Sequence, residues 1–173
     1  MKTRYAITTV GLLLALLWGC KKECLEQTGS NLEASYALPP ASATELIRYI
    51  TEEYDYRQWP LYPGKEALYA GEAPHGSLLI TYVSPQTLIA IQNKQGQLPD
   101  GTIIVKENYN QQKKLQATTV MYRLNGYNPE AGDWFWLKYA PDQTILEEGK
   151  GEGCVKCHEI AKNNDYILSG KVK

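Results

Sequence analysis

Apolar residues in this chain recur first at helical spacing and later in strand-like alternation. Ser42 with Glu45 three residues on reads as a capping box, a helix-start signature. Leu46, Ile47, Ile50 and Tyr54 then fall on one helical stripe. The pattern predicts a helix packed on a sheet, its apolar face serving as core. From Tyr56 to Ser77 no period survives. Trp59-Pro60, Tyr62-Pro63-Gly64, Gly71 and Pro74-His75-Gly76 mark a long irregular segment, of a kind that usually carries function.

Past that loop the period changes. Leu78 to Val83 reads as a strand ended by Ser84-Pro85, and Gln86 to Lys94 as a short helix with Leu88, Ile89 and Ile91 apolar. Gly96 and Pro99-Asp100-Gly101 mark turns. Thr102 to Glu107 and Thr118 to Leu124 read as strands. In the second, Val120, Tyr122 and Leu124 share one face, and Met121 and Arg123 the other. Asn125-Gly126 and Glu130 to Asp133 are turns, and Trp134 to Tyr139 is the most aromatic strand. A helix is expected from Gly153 to Lys162. The fold class that follows is α+β: a predominantly antiparallel β-sheet, a few flanking helices and a C-terminal helix. No internal repeat is visible.

Composition adds little that conflicts. Hydrophobic residues make up 43% of 173 residues, enough for one domain with an ordinary core. Tyr is abundant at 13 against a single Phe, which suits half-buried strand faces. Net charge is −1, with no basic cluster that would argue for nucleic acid.

The first residues read as targeting sequence. Lys2 and Arg4 precede an apolar run from Tyr5 to Gly19, shorter than the roughly 20 residues a spanning helix needs. Leu17-Trp18-Gly19-Cys20 resembles a bacterial lipoprotein box, which implies cleavage before Cys20 and lipidation of its thiol. An ordinary signal peptide or an uncleaved anchor is the other reading. The expected organisation is a leader over 1–19, a polar tether over 20–40 and one domain over 41–173. The protein is expected to be exported and lipid-anchored to a bacterial membrane, facing the periplasm or exterior. Cys24 is assigned no role.

The strongest chemical signal is Cys154-Val155-Lys156-Cys157-His158, the C-x-x-C-H spacing of a c-type haem attachment site. Positions i, i+3 and i+4 share a helix face. Two thiols there can reach the two vinyl groups on one porphyrin edge, and the imidazole can turn under the iron. The expected cofactor is therefore haem c, covalently attached, with His158 as proximal ligand and its other ring nitrogen on a backbone carbonyl. A redox dithiol and half of a zinc site are the alternatives. A structural zinc ion needs four ligands, and the remaining Cys are Cys20 and Cys24 and the remaining His is His75. His75 reads as a hydrogen-bonded turn residue, or else as a second axial ligand or distal proton donor. Met121 on its strand reads as core, with axial ligation as the alternative.

Trp59, His75-Gly76, Leu98-Pro99-Asp100-Gly101-Thr102-Ile103-Ile104-Val105-Lys106-Glu107, Gly132-Asp133-Trp134-Phe135-Trp136 and then Cys154 to His158 form an ordered set. In that order, over roughly residues 45–168, the chain resembles the cytochrome P-460 / cytochrome c′-beta family. The resemblance implies an antiparallel β fold, usually a homodimer, and a five-coordinate c-type haem with an open distal side. It also implies a functional division. One branch crosslinks a lysine to the porphyrin and oxidises hydroxylamine; the other lacks the crosslink and binds nitric oxide or carbon monoxide. Lys94, before the Pro-Asp-Gly-Thr turn, is where the crosslinking lysine is sought, its other reading being a solvated turn residue. Lys106 on its strand is read as structural.

The functional expectation is a membrane-anchored monohaem protein that binds small nitrogen-oxide or diatomic ligands at an open distal site, without a crosslink. Hydroxylamine oxidation through a lysine-crosslinked haem, with electrons passing to a partner cytochrome, is one alternative. Simple electron transfer is the other.

Overall fold

Six strands follow one another across a single antiparallel sheet in the order of the sequence: β1 Tyr69–Ala70, β2 Leu78–Val83, β3 Ile103–Tyr109, β4 Leu115–Arg123, β5 Trp134–Tyr139 and β6 Ile145–Gly149. This computed structural model describes residues 38–173. The leader, Cys20, Cys24 and the tether up to residue 37 lie outside them. Residues Pro39–Lys173 form one compact unit, so the domain begins inside the segment expected as tether. Tyr122 Oη donates to the Pro39 carbonyl at 2.8 Å in a buried bond. Among the described residues no helix is long and apolar enough to cross a membrane.

The sheet has two covered faces, each with its own core. One face carries Ile103, Val105, Val120, Tyr122, Phe135, Leu137 and Tyr139, which pack with Ala43, Leu46, Ile47 and Ile50. Those four belong to the expected first helix, α1 Ala43–Arg48, and the π-helical turn Tyr49–Glu53 that extends it. The wider π turn moves Tyr54 off the buried stripe, and it stands at the exposed border. Ser42 is the N-cap by backbone conformation, but the capping box does not form. The Glu45 carboxylate accepts instead from Arg48, at 3.2 Å from Nε and 3.1 Å from Nη2. A charge-assisted pair at i,i+3 outcompetes a neutral amide donor.

The opposite face carries Val83, Ile104, Trp134 and Trp136 in a second core with Ala90, Ile91, Leu98, Ile167 and Val172. Ala90 and Ile91 come from α2 Pro85–Gln92. Ser84-Pro85 ends β2 and also starts this helix, with Pro at its first turn, where its missing N–H costs nothing. Thr87, Ala90 and Ile91 face inward, whereas Ile89 is exposed.

Two strands were not expected from the pattern. β1 sits inside the irregular segment, and β6 pairs with β5 through Trp136↔Gly149 and Leu137↔Glu148. After β6 comes α3 Glu152–His158, shorter than expected, because the chain tightens into a 3₁₀ turn over Glu159–Asn164.

Candidate functional site

The register of the sheet sets a row of polar side chains across its second face. Thr81 pairs with Lys106, Lys106 with Thr119, Thr119 with Lys138, and Lys138 with Glu147. A cavity of about 810 Å³ lies over this row, within the usual size of a cofactor site. Its walls include Cys154, Cys157 and His158 from α3 and Glu72, Pro74 and His75 from the loop after β1. A small adjoining recess is lined by His75, His158, Ile104, Lys106, Thr119 and Met121.

Entry to α3 is fixed by Gly151, whose φ of +50° lies in the left-handed region. A Cβ there would stand 2.8 Å from the Cβ of Trp136, so the helix start can come this close only without a side chain. The indole of Trp136 in turn packs edge-on against the His158 ring, centroids 4.8 Å apart. His158 is buried, and burial lowers its pKa. Its Nδ1 lies 2.8 Å from the Tyr166 carbonyl oxygen and therefore donates to it, leaving Nε2 as the atom free to ligate.

The Tyr166 carbonyl is held by its neighbour. Asp165 and Tyr166 both adopt left-handed backbone conformations, with φ of 56° and 63°. The Asp165 carboxylate accepts from Arg123 Nη1 at 2.7 Å and from the Leu98 amide at 2.7 Å, and Trp134 Nε1 donates to its backbone carbonyl. Arg123 thus faces the second core as the strand alternation predicts, and its buried charge is paired.

His75 reaches the same cavity from the opposite side, with its ring centroid 6.3 Å from that of His158 and the planes at 79°. Burial first, then the nearby Lys106 charge, lowers its pKa to about 4. Lys106 rises from the cavity floor, and among the described residues no carboxylate pairs with it. Burial, aided by Lys65, lowers its pKa to about 8.

The two cysteines are free thiols, Cys157 exposed and Cys154 half-buried. Burial and the neighbouring Glu147 push the Cys154 thiol up to about 11, opposite to what an activated redox dithiol requires. Among the described residues no group of three or more His, Cys, Asp or Glu is disposed to hold a metal ion. Two thiols and one Nε2 lone pair on the wall of a cavity this size fit a porphyrin held at its edge and at its metal.

Lys94 does not join this site. It is exposed beyond the end of α2, with a φ of 51°, and it lines neither cavity. Lys65, Lys106 and Lys138 line the larger cavity, and of these Lys106, read from the sequence as structural, also lines the recess between the two imidazoles. It shares a face of β3 with Ile104 and Asn108, and the expected strand over Thr102 to Glu107 carried no assignment of faces. Met121 lines the small recess and packs with the second core.

A family model described as Cytochrome P460 matches residues 54–169. That span contains the cavity loop, the polar row and Cys154 to His158. No curated protein matches the chain.

Proposed function

This chain belongs to the cytochrome P460 family and is a haem protein, and we propose that it carries haem c covalently and binds small nitrogen-oxide or diatomic ligands. In this reading Cys154 and Cys157 each add S–H across a vinyl group, forming one S–C and one C–H bond with nothing expelled. His158 holds the iron through Nε2, with the Tyr166 carbonyl raising its basicity. Bound there, haem supplies an iron that takes diatomic gases or nitrogenous ligands. The lipoprotein box supports export and anchorage through Cys20. A homodimer and a partner cytochrome are proposed from the resemblance.

The observation that carries the reading is the Nε2 of His158, freed by the Tyr166 bond and opening on the cavity shared with both thiols. Mixing dithionite-reduced holoprotein with nitric oxide shifts the Soret band. An unchanged spectrum overturns the ligand-binding reading.

Lys106 favours a second reading, hydroxylamine oxidation with a haem–lysine crosslink. An N–C bond to a porphyrin meso carbon forms with loss of one N–H and one C–H hydrogen, so its formation needs a two-electron oxidant of the peroxide class. Glu72 and Glu147, on the cavity wall, are the carboxylates available to accept substrate protons. Proteolysis of such a protein yields one haem peptide joining the Lys106 segment to the Cys154–Cys157 segment. A haem peptide containing Cys154–Cys157 alone, with no turnover of hydroxylamine, excludes it.

A further inference from the structure

Two imidazoles that line one recess with their Nδ1 atoms held by hydrogen bonds form a ready pair of metal ligands. His158 is one. The other is His75, whose tautomer is set by Asn108. The Asn108 Nδ2 donates to the Lys106 carbonyl at 2.9 Å and the Ala117 carbonyl at 3.2 Å. Its Oδ1 must therefore be the acceptor, and it takes the Gly76 amide at 3.3 Å. The same Oδ1 lies 2.9 Å from His75 Nδ1, which consequently carries the proton. Nε2 of His75 is left with a lone pair, as in His158.

The spacing agrees. Metal–imidazole bonds are about 2 Å long, so two rings end-on to one ion have centroids separated by two such bonds plus the two ring radii. The 6.3 Å between His75 and His158 matches that span and is shorter than a span with a further ligand between iron and His75. Lys106 and Thr119, on adjacent strands, line the recess with both rings, and Met121 and Ser169 line it as well.

We propose that His75 is a second axial ligand, one that a small exogenous ligand must displace. The inference rests on the haem reading above, deepens it, and departs from the open distal side implied by the family resemblance. Displacement is local. His75 lies outside the regular strands, and a single side-chain hydrogen bond, to Asn108, holds its ring. His158 is fixed by α3, Trp136 and the Tyr166 carbonyl. The site thus has one firm and one yielding ligand, and affinity for a gas is reduced by the fraction of molecules in which His75 is bound.

The test uses full-length holoprotein. Ferric wild type shows a low-spin spectrum, and electron paramagnetic resonance gives the strongly anisotropic low-spin signal of two imidazoles with nearly perpendicular planes. His75→Ala becomes high-spin, whereas Met121→Leu stays low-spin. With carbon monoxide on the reduced protein, the wild-type rate levels off as ligand rises, and that of His75→Ala climbs about tenfold or more above it. A high-spin resting wild type overturns the proposal, as does a low-spin state lost in Met121→Leu. The wild-type resonance signal decides even where His75→Ala loads haem poorly. Pigment that leaves the denatured chain would instead sink the attachment reading.

Discussion

The imidazole Nδ1 of His158 and the backbone carbonyl of Tyr166 stand 2.8 Å apart across eight residues of chain. Nothing in the C-x-x-C-H motif supplies that carbonyl. It is delivered by two successive left-handed residues, held in place by the buried pair Arg123–Asp165 at 2.7 Å.

Removing one member of that pair leaves a buried charge without its partner. Asp165→Ala is expected to cost about 3–5 kcal/mol in urea unfolding and to lower the reduction potential's control by His158, seen as a rise in potential. Arg123→Met combined with Asp165→Leu recovers much of the stability, because two apolar groups replace two charges. Equal losses in the single and double variants would contradict this account.

Lys106 gives a pH-dependent prediction. In the haem-free fold its ammonium titrates near pH 8 against 10.5 ordinarily, because burial disfavours the charge. Between those values the folded chain binds fewer protons than the unfolded chain, so stability rises with pH across that window. Lys106→Met removes the buried charge. Its gain, on the order of 3 kcal/mol below pH 8, shrinks through the window and vanishes above pH 10.5. Thermal melts of haem-free wild type and variant at several pH values check this; a pH-independent difference would refute it.

Glu107 lies on the face away from the site and is buried. It accepts from Tyr56 Oη at 2.7 Å, Tyr109 Oη at 2.7 Å and Arg57 Nε at 3.0 Å. Burial, followed by hydrogen bonding to Glu107, raises the Tyr109 phenol. Glu107→Gln has one acceptor oxygen where the carboxylate has two, and is expected to cost about 1–3 kcal/mol of folding stability. The holoprotein's absorption spectrum stays unchanged. A spectral shift would show that the two faces of the sheet are coupled.

What could be read from the sequence tracks what is local. Trp134 to Tyr139 announces a strand through its aromatics, and Val120 and Tyr122 against Met121 and Arg123 divide between the two cores as alternation requires. β6 escaped because Ile145 to Gly149 is an edge strand with mostly exposed positions and no clear alternation. The capping box failed because Arg48 offers Glu45 a charged partner that the helix start cannot match. In the site, the thiols and His158 come from one helical turn and were legible. The meeting of His75 and Lys106 with them was not, because it depends on register: Leu79 opposite Asn108, and Lys106 opposite Thr119. Lys94 drew attention by its sequence neighbourhood, yet the turn after α2 leaves it exposed, away from the cavity.

Covalent pigment at Cys154 and Cys157 underlies every ligand-binding property proposed for this protein. Denaturing the purified protein in acidified acetone measures it directly, with Cys154→Ala/Cys157→Ala alongside. Wild type is expected to precipitate coloured, its haem carried on the peptide containing both cysteines, while the double variant comes down colourless. A colourless wild-type pellet beneath coloured solvent would contradict the account.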